Sequence, residues 1–280
     1  MDLTVFLAVL AAAVMHASWN VLVKLKLDRF LSLCLIQTLM GLLGMAMLAV
    51  FPWPSAASVP YAALSGLLHL GYFLFLARSY RTGDLSQVYP ISRGAAPLLT
   101  LAATWAFMHE EVSLAGGAGV ALLVLGIWVI SLIGQRGLRL DGLTLFFAIG
   151  TSVFVATYTI VDGMGGRISG APSGYTGLVF VFDSLFLSVA ALGMRGPRIL
   201  REVAPYWKTG IIGALLSGGA YWIAIWAMTH APIASVAALR ETSILVVMLL
   251  SMRVLKETVT LPRLGGAVLI VIGAVLIRLA

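Results

Sequence analysis

Apolar residues run along this chain in blocks of about twenty, parted by short polar connections. The blocks lie near 3–23, 31–51, 59–77, 85–107, 113–133, 142–161, 175–194, 209–229, 233–255 and 261–279. About twenty such residues suffice to cross the hydrocarbon core of a bilayer as a helix. The pattern therefore predicts an all-α integral membrane fold with ten transmembrane helices. Around 162–175 the run DGMGGRISGAPSG reads as a flexible, glycine-rich loop. A plain connector is the better reading, because no strand precedes it and no Gly-Lys-Ser/Thr follows, as a phosphate-binding loop requires.

One block departs from the rest. The fourth, LSQVYPISRGAAPLLTLAATWAF, carries Arg93 well inside and is interrupted by Pro90, Gly94 and Pro97. A charge at the bilayer centre costs at least about 3 kcal/mol, so such residues face a protein cavity. Prolines free backbone groups that only protein or water can then satisfy. The fourth span reads as a broken, pathway-lining helix.

Composition and charge narrow the class. Of 280 residues, 61% are hydrophobic and 10% charged, where soluble domains carry about a quarter charged residues. The net charge of +7 would suggest nucleic acid in a soluble protein. Here the cations sit in short loops. Those after the odd-numbered spans hold Lys24, Lys26, Arg29, Arg78, Arg81, Arg136, Arg139, Arg195, Arg198, Arg201, Lys208, Arg253, Lys256 and Arg263, whereas the other side holds Arg167 and Arg278. Lys and Arg collect in cytoplasmic loops, so both termini are expected on the non-cytoplasmic side. The N-terminal block lacks the basic start of a secretory signal and reads as a retained first span. The lone Cys34 leaves no internal disulfide framework.

The chain also repeats itself. A shift of 147 positions lays Arg93 on Arg240, Glu110 on Glu257, Gly119 on Gly266 and Gly126 on Gly273, without a gap. Leu98, Val112, Leu114, Leu122 and Val124 fall on like residues at the same shift. A shift of 140 lays Leu3, Thr4 and Phe6 on Leu143, Thr144 and Phe146. Five spans per half is an odd number, so the second copy enters the membrane from the opposite side. The expected domains are two inverted five-helix repeats, 1–136 and 137–280. Secondary transporters are commonly built this way, with the solute site near the midplane between halves.

The paired runs from Arg93 to Gly126 and from Arg240 to Gly273 resemble the EamA repeat of the drug/metabolite transporter (DMT) superfamily. In that family one helix ends in a Glu and the next carries spaced glycines. Glu110 with Gly119 and Gly126, and Glu257 with Gly266 and Gly273, match this pattern. Pro97 matches the family's proline upstream of the Glu, and Ser18-Trp19-Asn20 resembles the tryptophan motif of the first helix. The sequence departs from the pattern at His109 and Lys256, where a Gly often precedes the Glu, and at Ile244, which replaces the proline. The outward termini also differ from many ten-helix members. The resemblance implies ATP-independent export of amino acids, other metabolites or drugs.

The residues themselves supply candidates. ATP hydrolysis needs a Walker loop. Among the four lysines only Lys208 precedes a Ser or Thr, and Trp207 stands where the Gly belongs. On the first span His16, Asn20 and Lys24 share a face beside Trp19. They either wall a cavity or bond between helices, with Lys24 snorkelling. His69 and Tyr72 share a face of the third span, and a His titrates near physiological pH. Tyr221 and the pair Trp222 and Trp226 would stack on a flat or cationic solute or simply pack. Tyr89 joins the aromatic candidates, as does Tyr158, which shares a side of the sixth span with Thr151 and Asp162. Asp183 is an acid inside the seventh span, which family resemblance places at the periphery. Glu110 and Glu257 read as groups that fix a turn or cap the following helix.

Arg93, Arg240 and Glu241 are the sharpest set. Two arginines at equivalent repeat positions meet near the pseudo-twofold axis and need a counter-charge. Neighbouring residues on a helix face apart, so Glu241 is placed to pair across to Arg93. Either the arginines hold a solute carboxylate while Glu241 exchanges a proton, or the three form an ion network joining two helices. Gly71, Pro90, Gly94, Pro97 and Pro232 are candidate hinges. The expected activity is secondary transport of a small metabolite, amino acids first, across the inner membrane by alternating access, with protons as possible partners and one chain sufficient. Extrusion of hydrophobic cations is the alternative within transport. Outside it stand a passive channel or an intramembrane enzyme, although no H-E-x-x-H and no His pair at i, i+4 occurs. No cofactor or metal is expected.

Overall fold

The computed structural model describes residues 1–23, 29–82, 85–132, 141–255 and 260–280, of which 21–23, 29, 80, 82, 85–87, 89–90 and 250–255 are described by their backbone alone. Lys24 and Glu257, and the side chains of Tyr89 and Pro90, therefore lie outside the described residues.

The fold is all-α, and it is a two-repeat membrane fold. Its helices are α1 (Leu3–Val23), α2 (Arg29–Val50), α3 (Val59–Thr82), α4 (Leu85–Met108) and α5 (Leu114–Leu132) in the first half. The second half has α6 (Gly142–Ile168), α7 (Pro172–Arg195), a short α8 (Arg198–Val203), α9 (Trp207–Met228), α10 (Ile233–Arg240), α11 (Ser243–Leu255) and α12 (Leu261–Leu279). Among the described residues, eight helical runs are long and apolar enough to cross a membrane. The two spans that fall short of this are α4 and the divided α10–α11. They carry Arg93, Arg240 and Glu241. Leu7, Leu42, Leu67, Phe146, Leu185, Leu215 and Val268 point outward and exposed, as a lipid-facing belt requires.

The repeat shows in the packing. α1 lies against α9 and α6 against α3, which are equivalent pairs; α2 lies against α7 and α5 against α12, each a helix with its own counterpart. A Cβ on Gly119 would stand 2.8 Å from the Gly273 carbonyl, and one on Gly126 would stand 2.6 Å from that of Gly266. Lower numbers on α5 meet higher numbers on α12, so these equivalent helices run antiparallel. The halves are therefore inverted, and their glycines let the backbones touch. The Met1 amino group donates to the Arg278 carbonyl at 3.2 Å, which places both termini at one end of the bundle.

Two local expectations fail. The glycine-rich run at 162–166 is not a loop, since α6 stays helical to Ile168. Added Cβ atoms at Gly163, Gly165 and Gly166 would meet Ile233, Tyr175 and Ile225. The glycines are there so that α10, α7 and α9 can approach, and hydrocarbon surroundings favour the fully hydrogen-bonded helix. Nor is the fourth span broken, because α4 is helical through Pro90, Gly94 and Pro97. The Ser152 hydroxyl of α6 lies 3.1 Å from the Ile91 carbonyl and 3.0 Å from that of Ser92, which ties α6 to α4 between the two prolines.

The break falls in the second copy, where there is no proline. Glu241 and Thr242 separate α10 from α11. Their N–H groups bond to Ala238 and Leu239, three residues back, and Thr242 Oγ1 donates to the Leu239 carbonyl at 2.7 Å. Such tight turns inside a span mark functional hinges.

Glu110 also corrects its expectation. The turn into α5 is capped by Ser113, whose Oγ accepts from the Gly116 N–H at 3.1 Å. Glu110 instead reaches the other half: Oε2 accepts from the Ile233 N–H at 3.0 Å, and Oε1 takes Arg167 Nη2 at 2.6 Å. Arg167 further donates to the carbonyls of Met228 and Ala231. The α9–α10 turn is thus latched at the end of the bundle that holds the termini. Glu110→Ala should cost about 1–2 kcal/mol, as the loss of a capping acceptor does. Thermal unfolding in detergent checks this, and an unchanged midpoint would show that the latch bears no load.

Candidate functional site

The polar interior is assembled from seven helices. On α1, Trp19 and Asn20 flank His16, but the Asn20 amide donates to the His16 carbonyl of its own helix at 2.8 Å. His16 Nε2 lies 3.0 Å from Arg93 Nη2. Because guanidinium only donates, Nε2 accepts and the imidazole proton sits on Nδ1. Trp19 Nε1 stands 3.3 Å from that same Nδ1 with the rings edge to face. A neutral His offers one acceptor nitrogen, so the shorter, charge-assisted bond to Arg93 takes it.

Arg93 has a second partner. Its Nε stands 3.2 Å from Glu241 Oε2, and both side chains are buried. The pair joins α4 of the first half to the break in the second. Arg240, next in sequence, turns away and lies over the face of Tyr221, 5.0 Å from the ring centroid. Tyr158 on α6 is the centre of an aromatic wall: His69 stacks on it at 3.9 Å, with Tyr72 and Tyr221 edge-on at 5.9 and 6.4 Å.

Behind this wall lies a second polar group. Asp162 on α6 is fully buried. Its Oδ1 accepts from Tyr175 at 3.2 Å and its Oδ2 from Tyr221. The Ser65 hydroxyl lies 3.2 Å from His69 Nδ1. Asp183 on α7 is buried against His69 of α3, with Oδ1 3.4 Å from Nδ1. The seventh span therefore turns an acid into the core.

The structure thus brings together His16, Trp19, Arg93, Tyr158, Tyr221, Arg240 and Glu241, with His69 and Tyr72 at the edge. It does not bring Trp222, whose Nε1 donates to Ser173 Oγ at 3.0 Å while its ring packs on Phe51. Trp226 pairs with His230. Among the hinge candidates, Gly71 and Gly94 lie inside regular helices under the rings of Phe154 and Trp128. Pro97 is buried within α4, and Pro232 starts α10. Tyr175 and Ser65 escaped sequence reasoning. Ser65 to His69 and Tyr158 to Asp162 are i, i+4 pairs, and that spacing was the available signal.

Two helical halves, inverted about a charged interior, match a known family model twice, over residues 3–132 and 142–279. The chain belongs to the EamA-like transporter family. One solved structure, described only as the crystal structure of a protein, superposes with a TM-score of 0.79 at 16% identity, covering 100% of this chain and 98% of the other. That likeness shows a shared fold. A search of curated protein sequences returns no match. Membership of the EamA-like family makes the chain a multi-pass membrane protein of the DMT transporter type.

Proposed function

We propose that this EamA-like protein is a secondary transporter of small carboxylate-bearing metabolites, amino acids first, working by alternating access of the halves 1–136 and 137–280. The observation that carries the reading is that Arg93 meets His16 and Glu241 between the halves, while Arg240, from the equivalent repeat position, lies over Tyr221 of the aromatic wall. A guanidinium matches a carboxylate in shape and charge. A solute carboxylate exchanging for Glu241 at the arginines would leave Glu241 to receive an ammonium group, with Tyr158 and Tyr221 beside the side chain. The turn at Glu241–Thr242 lets that exchange move α10 against α11. Trp19, Tyr72 and Tyr89 complete the proposed lining. Cation-rich loops on the cytoplasmic side of the inner membrane would put both termini outside, and the direction is export by family resemblance.

The test is uptake of a labelled amino-acid panel into proteoliposomes, with counterflow. Saturable flux stimulated by solute on the far side is expected. Arg240→Met should abolish it. Flux that never saturates would instead describe a channel. Transport of tetraphenylphosphonium with no amino acid carried would point to cation extrusion.

A further inference from the structure

Asp183 has no part in the solute site proposed above, and His69 stands only at its edge. We propose that these two side chains hold one exchangeable proton, and that Tyr221 links its binding to the solute at Arg240. The linkage, though not the proton site, rests on the reading of Arg240 given above.

The geometry starts at His69. Its Nδ1 lies 3.0 Å from the Ser65 carbonyl and 3.2 Å from the Ser65 hydroxyl. A carbonyl only accepts, so Nδ1 carries a hydrogen and directs it at Ser65. Asp183 Oδ1 is 3.4 Å from the same nitrogen and accepts no hydrogen bond among the described residues, although the residue is only 4% exposed. A buried carboxylate oxygen left this way is costly, and a proton removes the cost. It binds either as the Asp183 acid or as an imidazolium facing the carboxylate. It comes from bulk water as hydronium and returns to water, with no other bond changed. A metal cation fits poorly, since hard cations take a shell of six or more oxygens, and here an imidazole N–H and stacked rings surround the oxygen. Among the described residues no group of three or more metal-ligating side chains occurs.

Asp162 is the contrast. Two tyrosine hydroxyls donate to it, so both its oxygens are satisfied where Asp183 Oδ1 is not. The ionisable groups facing the pair are Tyr158 and Asp162 on α6, Tyr175 on α7, Tyr221 on α9 and Arg240 on α10, with Tyr61 of α3 beyond Tyr175. Arg93 and Glu241 offset one another beyond Tyr158. α2 meets this stretch of α7 with Gly41 and Gly44. Asp183 and Asp162 bear on one another, while the charge of Arg240 bears on Asp162 and His69, and one proton relieves the two acids. A solute carboxylate engaging Arg240 withdraws that charge from Asp162 and His69 and tightens the hold on the proton. Linkage makes the effect reciprocal. Tyr221 is the connection, with its ring under Arg240 and its hydroxyl on Asp162.

The test begins without solute, in lipid nanodiscs, by infrared pH titration in a His109→Asn/His230→Gln background that removes two exposed histidines. A carboxyl or imidazole transition is expected between about pH 5 and 8. It should vanish in Asp183→Asn, change in His69→Gln and persist in Glu241→Gln. A transition that survives Asp183→Asn, or disappears only in Glu241→Gln, overturns the proposal. The second arm uses proteoliposomes and labelled phenylalanine. An inward gradient of one pH unit should drive about ten-fold accumulation for one proton per solute. Asp183→Asn should keep counterflow while losing accumulation. Equal accumulation in Asp183→Asn defeats the linkage. If the titration behaves as stated and phenylalanine is not carried, the proton site stands and the amino-acid reading falls.

Discussion

Arg93→Met should leave a protein that is both unstable and inactive, whereas Arg93→Met combined with Glu241→Met should be stable again and still inactive. Removing one member of a buried ion pair strands the other and costs about 3–5 kcal/mol, while replacing both by apolar side chains is neutral or stabilising. Both side chains are buried and 3.2 Å apart, so the rule applies. Activity follows a different rule. If Arg93 contacts the solute, no apolar pair restores it, and uptake should fall about 100-fold or more in both variants, in line with the cost of truncating a buried charged contact. Thermal unfolding and counterflow on the same preparations separate the two roles. A double variant that is stable and transports normally would reduce Arg93 and Glu241 to an ion network joining α4 to the α10–α11 break. Arg240→Met should disturb folding less, because a cation over an aromatic face contributes about 1–2 kcal/mol.

Ala at Gly119 or Gly273 should be among the most damaging small changes in the protein, and Ala at Gly117 or Gly265 should do the reverse. At Gly119 a Cβ would stand 2.8 Å from the Gly273 carbonyl and 3.0 Å from the Ile277 nitrogen; at Gly273 it would stand 2.6 Å from the Gly119 carbonyl. These are backbone atoms and cannot swing aside, so α5 and α12 must separate. Overpacking costs about 1–3 kcal/mol, and here it falls on the contact between the halves. A Cβ at Gly117 or Gly265 meets nothing within 4 Å. There the higher helix propensity of Ala should add up to about 1 kcal/mol. Detergent melting curves and the fraction eluting as a monodisperse peak decide the matter. Equal midpoints at all four positions would show that the crossing is looser than the geometry states.

Much of this protein was readable from one sequence, and the reason is lipid. Hydrocarbon demands apolar blocks of fixed length and forbids open backbone, so the spans at 3–23, 59–77 or 261–279 stand out without any knowledge of packing. The repeated Arg, Glu and Gly pairs exposed the duplication, and an odd number of spans per half made it inverted. The intramembrane charges of Arg93 and Arg240 drew notice because lipid makes them expensive.

Tertiary structure decided what each feature does. Periodicity cannot tell a glycine that bends a chain from one that admits a neighbour, so the run at 162–166 passed for a loop until Tyr175, Ile225 and Ile233 were seen against it. Prolines in α4 pointed to a break there, but α4 runs unbroken through them with α6 packed against it at Ser152, and the break falls at Glu241–Thr242 instead. Glu110 looked local and proved to reach Ile233 and Arg167 of the other half. The sequence by itself determined the solvent, the number of spans and their inverted duplication, because those follow from composition and order along one chain. Which charges meet, that His69 faces Asp183 and that Tyr221 joins Arg240 to Asp162, depends on contacts between helices far apart in sequence, and only folding brings those together.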